Sequence, residues 1–210
     1  MKEKIKNNPL FQKGFNIRYC LLAAACTAAI MTVVYFCYDL APFGNVTILR
    51  MDLYHQYGPL FAELYERITN LDSLLYSWKS GGGGGFLGNF YNYLSSPTAI
   101  LMLIMGHKNM PEAIAVMIIL KAITASFTFS YFIKKKYSAE DSPVISAFGV
   151  LYACSGYFIA YYWNVMWIDA MYLLPFIILG IEQIINSGKC KTYIIRENTI
   201  GLSGTFSFCS

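Results

Sequence analysis

Apolar residues in this chain gather into long runs separated by short basic or polar stretches, and several runs have the length of a bilayer crossing. The first covers residues 19–38, about the 20 residues a helix needs to span a hydrocarbon core. Others cover 111–133, 143–163 and 165–185, with Asn164 marking a tight turn between the last two. A further stretch, 94–105, is apolar but too short to span, and Pro97 lies at its start, so a re-entrant or interfacial piece is expected. Between the first two runs, residues 39–110 make a connection of a length that is usually functional. Within it Tyr57, Leu60, Phe61, Leu64, Tyr65 and Ile68 recur at helical spacing, opposite Gln56, Glu63, Glu66 and Arg67. That pattern predicts an amphipathic helix over 53–69, lying on the outer membrane surface. The glycine run in 80–85 reads as a flexible lid hinge. A nucleotide P-loop is excluded, because no strand precedes the run and no Gly-Lys-Ser/Thr follows it.

Charge gives these runs a direction. Lys2, Lys4, Lys6, Lys13 and Arg18 stand ahead of the first, Lys134 to Lys136 follow the second, and Lys189 and Lys191 follow the fourth. The positive-inside rule then places the tail 1–18 and the segment 186–210 in the cytoplasm and 39–110 outside a cytoplasmic membrane. The fold class expected is an all-α polytopic membrane protein with about four transmembrane helices and an interfacial helix in a long first outer loop. Composition agrees: 56% of residues are hydrophobic and 13% charged, about half the usual charge of a soluble domain. The net charge of +4 is modest and lies mostly outside the apolar runs, which argues against a nucleic-acid partner. Six cysteines, four of them in or beside the runs, form neither a disulfide framework nor a CxxC metal spacing. Cys26 follows three alanines, but the apolar run continues to Tyr38, too long for a lipoprotein signal core.

Few residues are candidates for chemistry. Asp52, just ahead of the amphipathic segment, is placed either to cap a helix or to act as a general base or cation-orienting carboxylate. His55 lies one turn further and pairs with it or simply packs at the interface; with no second His nearby, a zinc site is not indicated. Lys121 and Asp169 are ionisable groups inside predicted spans, and such groups face the bundle interior with a partner. Two readings remain open for them: a structural role, as a pair or with Lys121 snorkelling outward, or Lys121 receiving the phosphate of a lipid substrate. Trp163 and Trp167, with Tyr157, Tyr161 and Tyr162, read as an interfacial belt or, alternatively, as a sugar-stacking surface.

The string from Ile48 to Pro59 (Ile-Leu-Arg-Met-Asp-Leu-Tyr-His-Gln-Tyr-Gly-Pro), then Leu75-Tyr76-Ser77-Trp78, the glycine run, Phe86-Leu87-Gly88-Asn89 and Tyr93-Leu94-Ser95-Ser96-Pro97 together resemble the bacterial YfhO membrane-protein family. Ser155-Gly156-Tyr157 and the stretch from Tyr161 to Ala170 extend the resemblance, which covers about residues 15–190. It implies a GT-C-type glycosyltransferase using a polyprenyl-phosphate-linked sugar, with a cell-envelope polymer such as lipoteichoic acid as acceptor. In that reading Asp52 is the catalytic residue, and His55, Gln56, Tyr57, Lys121, Trp163 and Asp169 are substrate-binding candidates; a divalent cation is a possible cofactor. Family members are longer, so the chain is expected to be an N-terminal part whose last segment no longer resembles them. A lipid-sugar transporter, or a non-catalytic fragment, are the alternatives.

Overall fold

The computed structural model describes residues 16–137 and 141–187. Most of the basic tail, and Lys189, Lys191, Cys190 and Cys209, lie outside them. Four stretches of helix are long and apolar enough to cross a membrane among the described residues. These are α1 (Arg18–Cys37), α5 (Met110–Lys136), the α6–α7 pair (Pro143–Ala153 and Gly156–Tyr161) and α8 (Val165–Ser187). The chain is therefore an all-α membrane protein, as the apolar runs predict.

Local signals set the ends of these helices. Pro111 opens α5 with Glu112 in its first turn and Lys134, Lys135 and Lys136 in its last, matching acid and base to the two ends of the helix dipole. The Ser142 side chain caps α6 by accepting from the Val144 amide, ahead of Pro143. The third crossing is not one helix: it breaks at Cys154 and Ser155 before α7 begins. α8 carries an internal Pro175, which has no amide to bond the Met171 carbonyl. The Tyr152 hydroxyl donates to that carbonyl instead, at 2.9 Å, while its ring stacks on Phe129 at 4.1 Å. Small residues bring α1, α5 and α6 together. A Cβ on Gly149 would sit 2.0 Å from Ser130 Oγ and 3.1 Å from Ala23 Cβ, so only glycine fits.

Two ties fix the height of α5 against α1. Near the basic end Lys134 bonds the Asn16 carbonyl and Asp141; at the other, the Tyr35 hydroxyl of α1 donates to the Ala115 carbonyl at 3.4 Å. Ala115 and Lys134 are about 28 Å apart along α5 at 1.5 Å per residue, close to the hydrocarbon thickness. Met110 to Ile114 lie past the second tie, at the end of α5 that joins the residue 39–110 connection.

That connection is folded. A π-helical turn, Leu53–Tyr57, leads into α2 (Gly58–Asn70), which ends at Leu71 in the left-handed conformation. Tyr57, Phe61 and Leu64 are buried as predicted, but so is Glu63, on the face expected to be solvated. Glu63 accepts from Arg67 and from the Ser77 hydroxyl, and Arg67 bonds the Ser73 carbonyl and lies 4.7 Å over the Phe86 ring. These bonds hold down a hairpin of β1 (Tyr76–Ser77) and β2 (Gly84–Gly85), in which the glycine run supplies the turn and the second strand. Then follow α3 (Phe86–Asn89), a second π-helical turn (Phe90–Leu94), a 3-10 turn (Pro97–Ala99) and α4 (Ile100–Met105). The expected re-entrant piece is thus two short elements, with Met102 buried against α5.

Candidate functional site

The two intramembrane charges meet. Lys121 Nζ lies 2.6 Å from Asp169 Oδ1, and neither side chain has exposed surface. The ammonium also donates to the Val165 carbonyl at 2.8 Å, and Ser96 donates to Asp169 at 3.2 Å. Of the two sequence readings, the structural pair is the one present. A lone ammonium at this depth would be unsolvated, so Lys121 turns to carboxylate and carbonyl and presents nothing to a lipid phosphate. The same cluster anchors the chain outside the bundle: Ser96 belongs to the outer connection, and Val165 begins α8.

Tyr57 makes a second anchor to that helix start. Its hydroxyl donates to Asn164 Oδ1 at 2.6 Å. Burial, with Tyr93, Asp169 and Asp52 around it, holds the Tyr57 hydroxyl far above its ordinary pKa, so it stays a donor. Of the predicted substrate contacts, Tyr57 is therefore a buried brace. Gln56 is half-buried, and His55 is exposed, its ring edge-on to Tyr54 at 5.1 Å.

Asp52 caps nothing. It stands before a π-helical turn with αR backbone and makes no side-chain cap bond, and Met51 ahead of it has φ of 50°. Its carboxylate is exposed. Two residues before it, the exposed Arg50 is among the residues lining an apolar groove of about 610 Å³. The walls come from Met31 and Tyr35 of α1, Ile118 of α5, and Phe158 and Ile159 of α7, with Ile48 from the residue 39–110 connection. Arg50 is the only charged residue in that lining. The groove is thus lined jointly by α1, α5, α7 and the residue 39–110 connection. Its chemistry suits a molecule with an apolar chain and an anionic head: the chain leaves water, and the guanidinium meets the anion with its planar fork.

The sequence reading passed over Arg50. The one available signal was its isolation, a single cation inside Ile48-Leu49-Arg50-Met51 on the predicted outer side. Trp163 and Trp167 are partly buried and lie 6.3 Å apart, with Tyr161 5.1 Å from Trp167 and Tyr157 5.1 Å from Tyr161. The Trp163 indole donates to the Ala160 carbonyl. The rings form one cluster around the turn at Asn164. Among the described residues no three His, Cys, Asp or Glu side chains come together as a metal site, so Asp52 offers a lone carboxylate to any cation.

Comparison with known proteins places a sequence family over this architecture. The profile described as bacterial membrane protein YfhO matches residues 23–197, a range that takes in both anchors, the groove and the outer connection. No curated protein and no solved structure matches the chain.

Proposed function

The chain belongs to the bacterial YfhO membrane protein family, and from that premise we propose that it is the part of a GT-C-type glycosyltransferase that holds a lipid-linked sugar donor at the outer face of the cytoplasmic membrane. The observation that carries this reading is the apolar groove with the exposed Arg50 in its lining and the exposed Asp52 two residues on. The polyprenyl chain occupies the groove, and Arg50 pairs with the phosphate. An envelope polymer such as lipoteichoic acid presents a hydroxyl from the aqueous side. Asp52 takes the hydroxyl proton as the oxygen bonds to the anomeric carbon, and the bond from that carbon to the phosphate oxygen breaks. The electron pair leaves with the phosphate, whose growing charge Arg50 stabilises. Asp52 is the residue that would hold a divalent cation, which would supply positive charge to neutralise the donor phosphate.

Asp52→Asn keeps size and polarity but removes the base. Transfer of labelled sugar from polyprenyl phosphate to envelope polymer, measured in membranes, is expected to fall by roughly 10²–10⁴-fold with unchanged membrane insertion. Arg50→Gln should chiefly raise the KM for the donor. Undiminished transfer by the Asp52 variant rejects this assignment. Movement of labelled lipid across the bilayer without transfer would favour the transporter.

A further inference from the structure

The chain enters α2 through a wide turn, and Pro59 explains why. The Gly58 amide, which would reach the Tyr54 carbonyl in an α-helix, bonds the Leu53 carbonyl instead, one residue further back. In an α-helical register the next residue, Pro59, would have no amide for the His55 carbonyl, and its ring would press on that oxygen. The π-helical turn Leu53–Tyr57 carries the chain around this conflict. Gly58 suits the detour, because a Cβ there would lie 3.3 Å from the Leu53 carbonyl oxygen that accepts the bond. Upstream, Met51 takes φ of 50°, unfavourable for a residue with a side chain, and the Tyr54 and His55 amides both bond its carbonyl. Asp52 thus stands between a left-handed residue and a wide turn.

Distortions of this kind persist only where the surroundings hold them, and here the hold comes from one side. Leu53 and Tyr57 are buried, whereas Asp52, Tyr54, His55 and Pro59 are exposed. The Tyr57 hydroxyl bonds Asn164 Oδ1 at 2.6 Å, and its ring meets Tyr93 edge-on at 5.7 Å. Asn164 is itself held, because its amide donates to the Tyr161 carbonyl and its carbonyl accepts from the Trp167 amide. The wide turn is therefore pinned to the junction of α7 and α8. Since α7 supplies Phe158 and Ile159 to the groove that Arg50 also lines, the pin fixes the segment carrying Arg50 and Asp52 relative to one wall of that groove.

A π turn counts as one residue inserted into an α-helix, so its relaxation would swing the residues before it by about 100° around the axis. With Tyr57 pinned, the swing falls on Asp52 and leaves α2 in place. We propose that Pro59, which keeps the turn wide, and Tyr57 with Asn164, which pin it, are positioning residues that set the direction of the Asp52 carboxylate. This rests on the base role proposed above for Asp52, while the geometry itself is measurable without any reaction.

The test uses the full chain in phospholipid nanodiscs and turns on Pro59→Ala. Pro59 is exposed, so alanine there costs no packing, supplies the missing amide and lets the α register form. Tyr57→Phe keeps the ring and removes the pin, and carries the same test should Pro59→Ala not fold. Spin labels on Asp52→Cys and on either Leu151→Cys or Ile104→Cys, with the six native cysteines replaced by alanine, give two distances by double electron-electron resonance. In each variant at least one distance should move by about 5 Å or more. Each variant should also lower kcat for sugar transfer by about tenfold or more, Pro59→Ala while melting no lower than wild type. Neither should lower kcat further in an Asp52→Asn background, because a residue that acts through Asp52 has nothing left to position. Unmoved distances overturn the proposal, as do undiminished transfer by Pro59→Ala with Asp52→Asn inactive and a full additional loss in the Asp52→Asn background. Should Asp52→Asn transfer sugar as wild type does while the distances move, the catalytic reading falls and the positioning of Asp52 stands.

Discussion

Asp52 and Asp169 are the same residue in opposite circumstances. Asp169 has no exposed surface and spends its charge on Lys121 and Ser96; Asp52 is exposed two residues after Arg50, with no cap bond to make. The first is committed to architecture. The second is free to accept a proton or a cation because the architecture asks nothing of it. The difference teaches that an acidic residue in or near a membrane span is not by itself a catalytic sign, and that the partner decides.

The sharpest way to break this contrast is to remove one side of the buried pair. Asp169→Ala leaves the Lys121 ammonium unpaired in the bundle and should cost about 3–5 kcal/mol, seen as loss of folded protein in detergent melting curves. Replacing both residues, Lys121→Met with Asp169→Leu, should recover most of that loss, since the ammonium and carboxylate no longer need solvation. If the double variant is as unstable as the single, the pair does more than neutralise itself. Asp52→Asn in the same melts should shift stability by less than about 0.5 kcal/mol, as exposed substitutions do.

A smaller effect tests how the bundle treats a lost backbone bond. Tyr152→Phe takes the donor from the Met171 carbonyl opposite Pro175 and should cost about 1–2 kcal/mol, with the damage local to α8 by hydrogen exchange. The smallest lies in the exposed region. Lys79 beside Glu66 pulls the Glu66 carboxyl below its ordinary value of 4.5. A lowered folded value means that the contribution is complete above pH 4.5 and is lost as pH falls through the folded value. The Trp78 emission should therefore change only in acid below that point, and Glu66→Gln should remove the transition.

Legibility followed the kind of force involved. The four crossings were readable because burial in lipid needs long apolar runs, and the basic stops at Lys134 to Lys136 mark an end that α5 shares. The break between α6 and α7 was not readable, since Cys154 and Ser155 sit inside an apolar run. In α2 the periodicity gave the buried side at Tyr57, Phe61 and Leu64, yet it missed that Glu63 and Arg67 would be covered. Periodicity describes one helix, and the cover is a hairpin that returns from later in the chain. Arg50 escaped for a similar reason, because the groove it completes is assembled from α1, α5 and α7. The pairing of Lys121 with Asp169 was one of two readings, and only three-dimensional proximity decides between them.

The two ties along α5 also make the chain a gauge. Lys134 clamps one end and Ala115 the other, so the vertical offset between the lipid phosphates and Arg50 depends on how thick the surrounding bilayer is. On the proposed function, a bilayer thicker than the distance between the clamps would bring lipid over the groove, and a thinner one would leave it uncovered. Lipid composition would then act on the site without touching any residue in it.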